Sequence, residues 1–129
     1  MDGYKLAIVG SRSFDDYELF TEIMGKFLIG KQIDLIISGG AKGVDTMAEH
    51  YAKVKGIQTI IHKPNWEKFG RPAAFIRNRQ IVEDSNIVLS IWDGDSNGTK
   101  HSMDIAKKLG KELFVFNYVL FRWLKEDEF

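Results

Sequence analysis

The stretch Leu35-Ile36-Ile37-Ser38-Gly39-Gly40-Ala41-Lys42-Gly43-Val44-Asp45 decides the fold. A short apolar run leads into a turn with three glycines, and Met47, Ala48, Tyr51, Ala52 and Val54 then recur at the spacing of one helix face. Strand, tight turn and helix start follow directly on one another. Glycines let a backbone turn sharply and approach a ligand, and the unpaired N–H groups of a helix's first turn favour an anion. The expected ligand carries phosphate.

Outward from this stretch, short β-rich runs alternate with helical patterns. Residues 4–9 read as a strand. Leu19, Phe20, Ile23, Phe27 and Leu28 follow at helical spacing behind Asp15 and Asp16, which can cap that helix, and Gly30 is a plausible stop. Residues 34–37 form the second strand, a helix over about 44–55 ends at Gly56, and residues 57–62 form the third strand. The loop 64–72 carries Trp66, Phe69, Gly70 and Arg71 between two prolines, and a helix through Ala73, Phe75, Ile76, Ile81 and Val82 follows. Residues 86–92, 99–109 and 113–118 complete the series as strand, helix and strand. Such alternation predicts one α/β domain over residues 1–129, Rossmann-like and three-layered, with a mainly parallel sheet of about five strands. The tail 119–129 starts apolar and ends acidic, so Leu120, Phe121, Trp123 and Leu124 are expected to dock as a short final helix or to cover a partner subunit.

At 129 residues and 44% hydrophobic content the chain can bury a substantial core but has little room for a second domain. Eighteen basic residues balance eighteen acidic ones, which removes the overall positive field of a non-specific nucleic-acid binder and argues against nucleic acid as a partner. Cysteine is absent, excluding disulfides and thiol catalysis. The charged segment Met1-Asp2-Gly3-Tyr4-Lys5 does not read as a secretory signal, and no apolar stretch is long enough to span a bilayer. The expectation is a cytoplasmic protein without membrane contact, in a host cell's cytoplasm if a phage encodes it.

In an open parallel sheet, ligands bind outside the carboxyl ends of the strands, where the strand order reverses. Three turns belong on that edge: Gly10-Ser11-Arg12-Ser13, the segment Ser38 to Asp45, and Asp93-Gly94-Asp95-Ser96-Asn97-Gly98-Thr99. Any one of them could be turn chemistry alone, since Gly, Ser and Asp are turn formers and helix caps. Together they point to phosphate or nucleotide binding, with Arg12 offering a planar fork and Thr99 a hydroxyl and an N–H at a helix start. The Lys-Ser/Thr ending of a P-loop and the spacing of a G-x-G-x-x-G turn are both missing, which argues against an ATPase or a conventional dehydrogenase.

These residues carry a resemblance. Ile8-Val9-Gly10-Ser11-Arg12, Ser38 to Asp45 with Ala48-Glu49, Arg77-Asn78-Arg79, and Trp92-Asp93-Gly94 with Gly98-Thr99 resemble the SLOG superfamily in order and spacing over nearly the whole chain. Its small stand-alone YspA/YpsA-related members, found in bacteria and phages, are the nearest in pattern. The superfamily also holds the Smf DNA-processing proteins and the Lonely Guy nucleotide phosphoribohydrolases. The resemblance implies a Rossmann-like nucleotide pocket, possible sensing of a nucleotide derivative, and a ligand-facing role for Arg77. It also implies two alternatives: N-glycosidic cleavage of a nucleoside monophosphate, and single-stranded-DNA binding, because Phe75-Ile76-Arg77-Asn78-Arg79 is similar to the F-x-R-N-R signature of the Smf proteins. The glutamates of the Lonely Guy motif would fall near His101 and Ser102, so the carboxylate that assists cleavage is missing.

The expected ligand-binding residues are therefore Gly10, Ser11, Arg12, Ser38, Gly39, Gly40, Lys42, Gly43, Asp45, Trp66, Arg77, Asn78, Asp93, Gly94, Gly98 and Thr99. The phosphate is expected on the backbone of Gly39 to Gly43 and of Gly98-Thr99, beside Ser11, Arg12 and Arg77. Asp45 either caps its helix or meets a ribose hydroxyl, Lys42 either pairs with phosphate or is solvated, and Trp66 either stacks on a base or fills a loop. Arg77, Asp93 and Asp95 are the remaining catalytic candidates, with turn formation the competing role for both aspartates. His50, His62 and His101 form no metal-ligand pattern, so no metal site is expected, and no cofactor is assigned beyond a nucleotide or nucleotide derivative as ligand. The apolar tail would permit a homodimer or a higher homo-oligomer.

Overall fold

A computed structural model describes residues 3–129; Met1 and Asp2 of the charged N-terminal segment lie outside the described residues. The strands are β1 (Tyr4–Gly10), β2 (Ile33–Ser38), β3 (Gln58–Ile61), β4 (Ile87–Trp92), β5 (Glu112–Asn117) and β6 (Arg122–Trp123), and the helices are α1 (Tyr17–Phe27), α2 (Val44–Lys55), α3 (Trp66–Phe69), α4 (Ala73–Glu83) and α5 (Asn97–Lys108). They form one six-stranded sheet in the order β3-β2-β1-β4-β5-β6. β1 to β5 are parallel and β6 is antiparallel to β5. The order reverses between β1 and β4, so their carboxyl ends open a crevice at the switch point.

Alternating side chains assign the two faces of the sheet. Leu6, Ile8, Ile36, Leu89 and Ile91 point to one side and pack with Phe20, Ile23 and Met24 of α1 and Val44, Ala48 and Tyr51 of α2. Ala7, Val9, Ile37 and Val88 point to the other, against Ile81 and Val82 of α4 and Ile105 and Ala106 of α5. β4 is buried along its whole length, as a central strand covered by helices on both faces must be. Each buried Leu, Ile or Phe contributes about 1.5–3 kcal/mol relative to exposure, and this double layer is what holds the switch-point crevice in place.

Local signals set the helix limits. The Asp16 carboxylate accepts the Leu19 N–H at 2.9 Å and starts α1. Gly56 ends α2, as its position in the sequence predicts. In the loop 64–72, the Asn65 side chain accepts the Lys68 N–H and nucleates the one-turn α3, a helix the spacing does not reveal. The tail differs more from expectation. Instead of a final helix, residues 118–121 turn, β6 pairs with β5, and Glu126–Glu128 form a 3-10 turn. Trp123 of β6 and the following Leu124 pack inward, while Leu120 and Phe121, in the turn before the pairing, stay exposed.

Candidate ligand-binding site

The turns after β1, β2 and β4 meet at the crevice, as the topology requires. They enclose a cavity of about 450 Å3 lined by Gly10, Ser11, Arg12, Ser13, Ala41, Asp45, Phe75, Arg77, Asn78, Asp93, Ser96, Gly98, Thr99 and Ser102, among others. This is within the size range of small-molecule sites, roughly 300–1,000 Å3. Nine of the residues expected from the sequence are thus brought together: Gly10, Ser11, Arg12, Asp45, Arg77, Asn78, Asp93, Gly98 and Thr99. Ser38, Gly39, Gly40, Lys42, Gly43, Gly94 and Trp66 are not in the lining. Phe75, Ser96 and Ser102 are, and sequence reasoning had not assigned them; for Phe75 the F-x-R-N-R likeness was the available signal.

The glycine turn braces the site from behind. Gly43 has φ +75°, and a Cβ there would lie 2.4 Å from the Ser11 carbonyl oxygen and 2.5 Å from that of Arg12, so the turns after β1 and β2 touch backbone to backbone. The Val44 N–H donates to the Ser11 carbonyl at 3.3 Å and fixes the same contact. Most of the turn's remaining polarity is used internally. The Gly40 N–H donates to Ser38 Oγ at 3.3 Å, Ser38 Oγ donates to Glu49 at 2.8 Å, and the Ala41 N–H donates to Asp45 Oδ2 at 3.1 Å. The glycine turn that looks most like a phosphate cradle already gives its Ala41 N–H to an anion, the carboxylate of Asp45. Burial pushes the Asp45 pKa up to about 6, against the lowering effect of the Ala41 N–H and the Arg77 charge.

Arg77 reaches in from α4. Its Nη1 donates to the Gly39 carbonyl at 2.6 Å and its Nε to Asn78 Oδ1 at 3.0 Å, while Nη2 has no acceptor among the described residues. A Cβ on Gly39 would sit 2.7 Å from Nη1 and 2.9 Å from Asp45 Oδ2, so only glycine lets guanidinium and carboxylate close over this backbone. Burial lowers the Arg77 pKa from its ordinary value and nearby Asp45 opposes that shift. Asn78 Nδ2 lies 3.1 Å from His101 Nδ1, and the Phe75 ring meets the His101 ring edge-on at 4.5 Å between centroids. Burial holds the His101 pKa below the usual imidazole value, which favours the neutral ring.

The opposite wall is the start of α5. No side chain caps this helix, and its first turn contains no acidic residue, so the N–H groups of Asn97, Gly98 and Thr99 have no acceptor among the described residues. Asp93 does not serve it: its Oδ1 accepts the N–H groups of Asp95 at 2.8 Å and Ser96 at 2.7 Å, the turn-forming role. Asp95 is exposed and outside the cavity. Across from α5, Ser11 is 2% exposed and its hydroxyl is one of two buried side-chain polar atoms without a partner among the described residues. Among the described residues, no cluster of three His, Asp or Glu side chains is placed to hold a metal, and no helix is long and apolar enough to cross a membrane.

Comparison with known proteins places this geometry. The model of the YspA, cpYpsA-related SLOG family matches residues 4–69, about half of the chain. The Gene 61 protein of Mycobacterium phage D29 is 29% identical over 119 residues, covering 87% of this chain and 95% of that protein. DNA processing protein A of Streptococcus pneumoniae superposes with a TM-score of 0.68 at 22% identity, over 86% of this chain and 49% of that one. DNA processing protein A of Helicobacter pylori, described by its single-stranded DNA binding mode, gives 0.67 at 25% identity, over 88% of this chain and 65% of that one. The chain therefore spans about half to two thirds of these two structures. They correct the expectation that argued against nucleic acid: a protein built on this fold binds single-stranded DNA, and a neutral net charge is no ground for excluding it.

Proposed function

The chain belongs to the YspA, cpYpsA-related SLOG family, and from that premise we propose that the cavity binds a nucleotide unit by its phosphate. The phosphate accepts from the N–H groups of Gly98 and Thr99 at the start of α5, from the Ser11 hydroxyl and from Nη2 of Arg77, all bordering the same space. One observation carries this reading: Ser11 lines the cavity, and its buried hydroxyl has no partner among the described residues. Such a group costs about 1–3 kcal/mol, a penalty that a bound acceptor removes. The uncapped helix opposite supplies the positive end of a dipole and oriented donors for the same anion. Asp45 lines the same cavity as a buried carboxylate with a raised pKa, suited to a ribose hydroxyl rather than to phosphate.

Isothermal titration of the protein with nucleoside monophosphates is expected to detect binding, and Ser11→Ala to weaken it about tenfold, the loss of one hydrogen bond to a charged acceptor. The fold itself should be unharmed or slightly stabilised, because the variant deletes an unsatisfied polar atom. Absence of binding by every monophosphate would sink the proposal.

A second reading takes the nucleotide as part of a single strand. It is favoured by the Helicobacter pylori structure and by Phe75, which is 55% exposed at the cavity wall and open to a base. Binding of a labelled oligonucleotide that weakens steeply with salt would support it. Base release from a monophosphate, the cleavage alternative, draws no support from Asp93, which is engaged in its turn, or from Asp95, which stands outside.

A further inference from the structure

Arg77 also borders a second cavity. Lys63, Asn65, Lys68, Phe69, Arg77 and Gln80 border a groove of about 300 Å3 between α3 and α4. Arg77 lines both spaces, so the two adjoin at this residue. The charge of the two differs. The first cavity offsets Arg12 and Arg77 with Asp45 and Asp93, whereas the groove has no acidic residue in its lining. Neither Lys63 nor Lys68 is in an ion pair among the described residues, whose pairs are His62–Asp84, Arg79–Glu83, Lys100–Asp104 and Arg122–Glu128.

The groove also offers surface for a flat ring. Phe69 in its lining is 36% exposed, and Trp66, three residues before it on the same short helix but outside the lining, is 53% exposed. Lys68 Nζ lies 5.1 Å from the Phe69 ring centroid, which keeps the ammonium beside the aromatic face. Asn65 spends its carbonyl on capping α3, and the Gln80 amide makes no hydrogen bond among the described residues. Uncompensated ammonium groups, an exposed aromatic face and a free amide are the partners of a phosphate and a base.

We infer that the groove is a second subsite continuous with the first, and that the ligand consists of at least two phosphodiester-linked nucleotide units, one in each space, with Arg77 at the junction. This rests on the phosphate reading of the first cavity. A free dinucleotide and a stretch of a longer single strand share this chemistry.

Titration calorimetry with the four deoxynucleoside monophosphates, their 5′-phosphorylated homodinucleotides and the corresponding octamers tests the inference. In the wild type the best dinucleotide should bind about tenfold or more tightly than its monophosphate. The double variant Lys63→Ala/Lys68→Ala should erase that ratio and leave the monophosphate affinity unchanged. An octamer tighter again identifies a strand, and an octamer no tighter identifies the dinucleotide as the whole ligand; both uphold two linked units. Equal affinity of monophosphate and dinucleotide, or equal loss of both in the variant, overturns the second subsite while sparing the first. If neither monophosphate nor dinucleotide binds, both readings fall.

Discussion

Two helices begin at the cavity, and they begin differently. α2 follows the glycine turn and carries Asp45 as its second residue, whose carboxylate takes the Ala41 N–H; α5 has Gly98 as its second residue and no acidic group in its first turn. α2 carries its carboxylate within its first turn, whereas the nearest carboxylate to α5, that of Asp93, lies before the helix and is engaged in the turn. On the reading proposed above, the glycine-rich motif that looks most like a phosphate cradle serves as the framework, and the plainer turn after β4 faces the ligand. Residue composition alone cannot separate these two roles, because a glycine turn that closes on its own backbone and one that closes on phosphate need the same residues.

The largest effect should come from breaking the framework side. Gly43→Ala places a methyl group within 2.5 Å of two carbonyl oxygens at a left-handed φ. Relief requires parting the turns after β1 and β2, so a loss of about 3 kcal/mol or more in denaturant unfolding is expected, the scale of a severe backbone or packing defect. A neutral outcome would mean that the two turns do not depend on their contact.

The occupant of the α2 start can be tested by pH. The Asp45 pKa is raised from 3.8 to about 6 in the folded protein, so the folded state binds the proton more tightly than the unfolded chain. Stability should therefore rise as pH falls from about 6 toward 4, by up to about 3 kcal/mol from this group, the equivalent of roughly two pKa units. Asp45→Asn keeps an acceptor for the Ala41 N–H and removes the titration. The difference in unfolding free energy between wild type and variant should follow that slope and level off above pH 7; a flat difference would show that the carboxylate is not held against burial.

Much of this architecture was legible in the chain. Alternating β and α periods gave the order of elements, Asp16 and Gly56 marked helix ends where local hydrogen bonding demands them, and Arg77 stood out through its motif. What escaped depended on contacts made at a distance or on the path of a turn. The curl of Asp45 onto Ala41 is set by the glycine backbone, and the lone hydroxyl of Ser11 is defined by what fails to approach it. α3 rests on a single Asn65 cap, and β6 exists because the chain doubles back after β5, which no periodicity over two residues can announce.

The smallest structural change makes the most direct test, because it gives α5 the second-position aspartate that α2 has. Gly98→Asp introduces a carboxylate at the matching position, where a Cβ meets no atom within 4 Å. The added charge complements the helix dipole and the lost glycine favours the helix, so thermal stability should hold or rise, by about 0.5–1 kcal/mol. Titration with the nucleoside monophosphate that binds wild type should then show affinity reduced by about tenfold or more, as the new anion competes for the same N–H groups. A variant that stays folded and binds the nucleotide as tightly as wild type would contradict the assignment of phosphate to the start of α5.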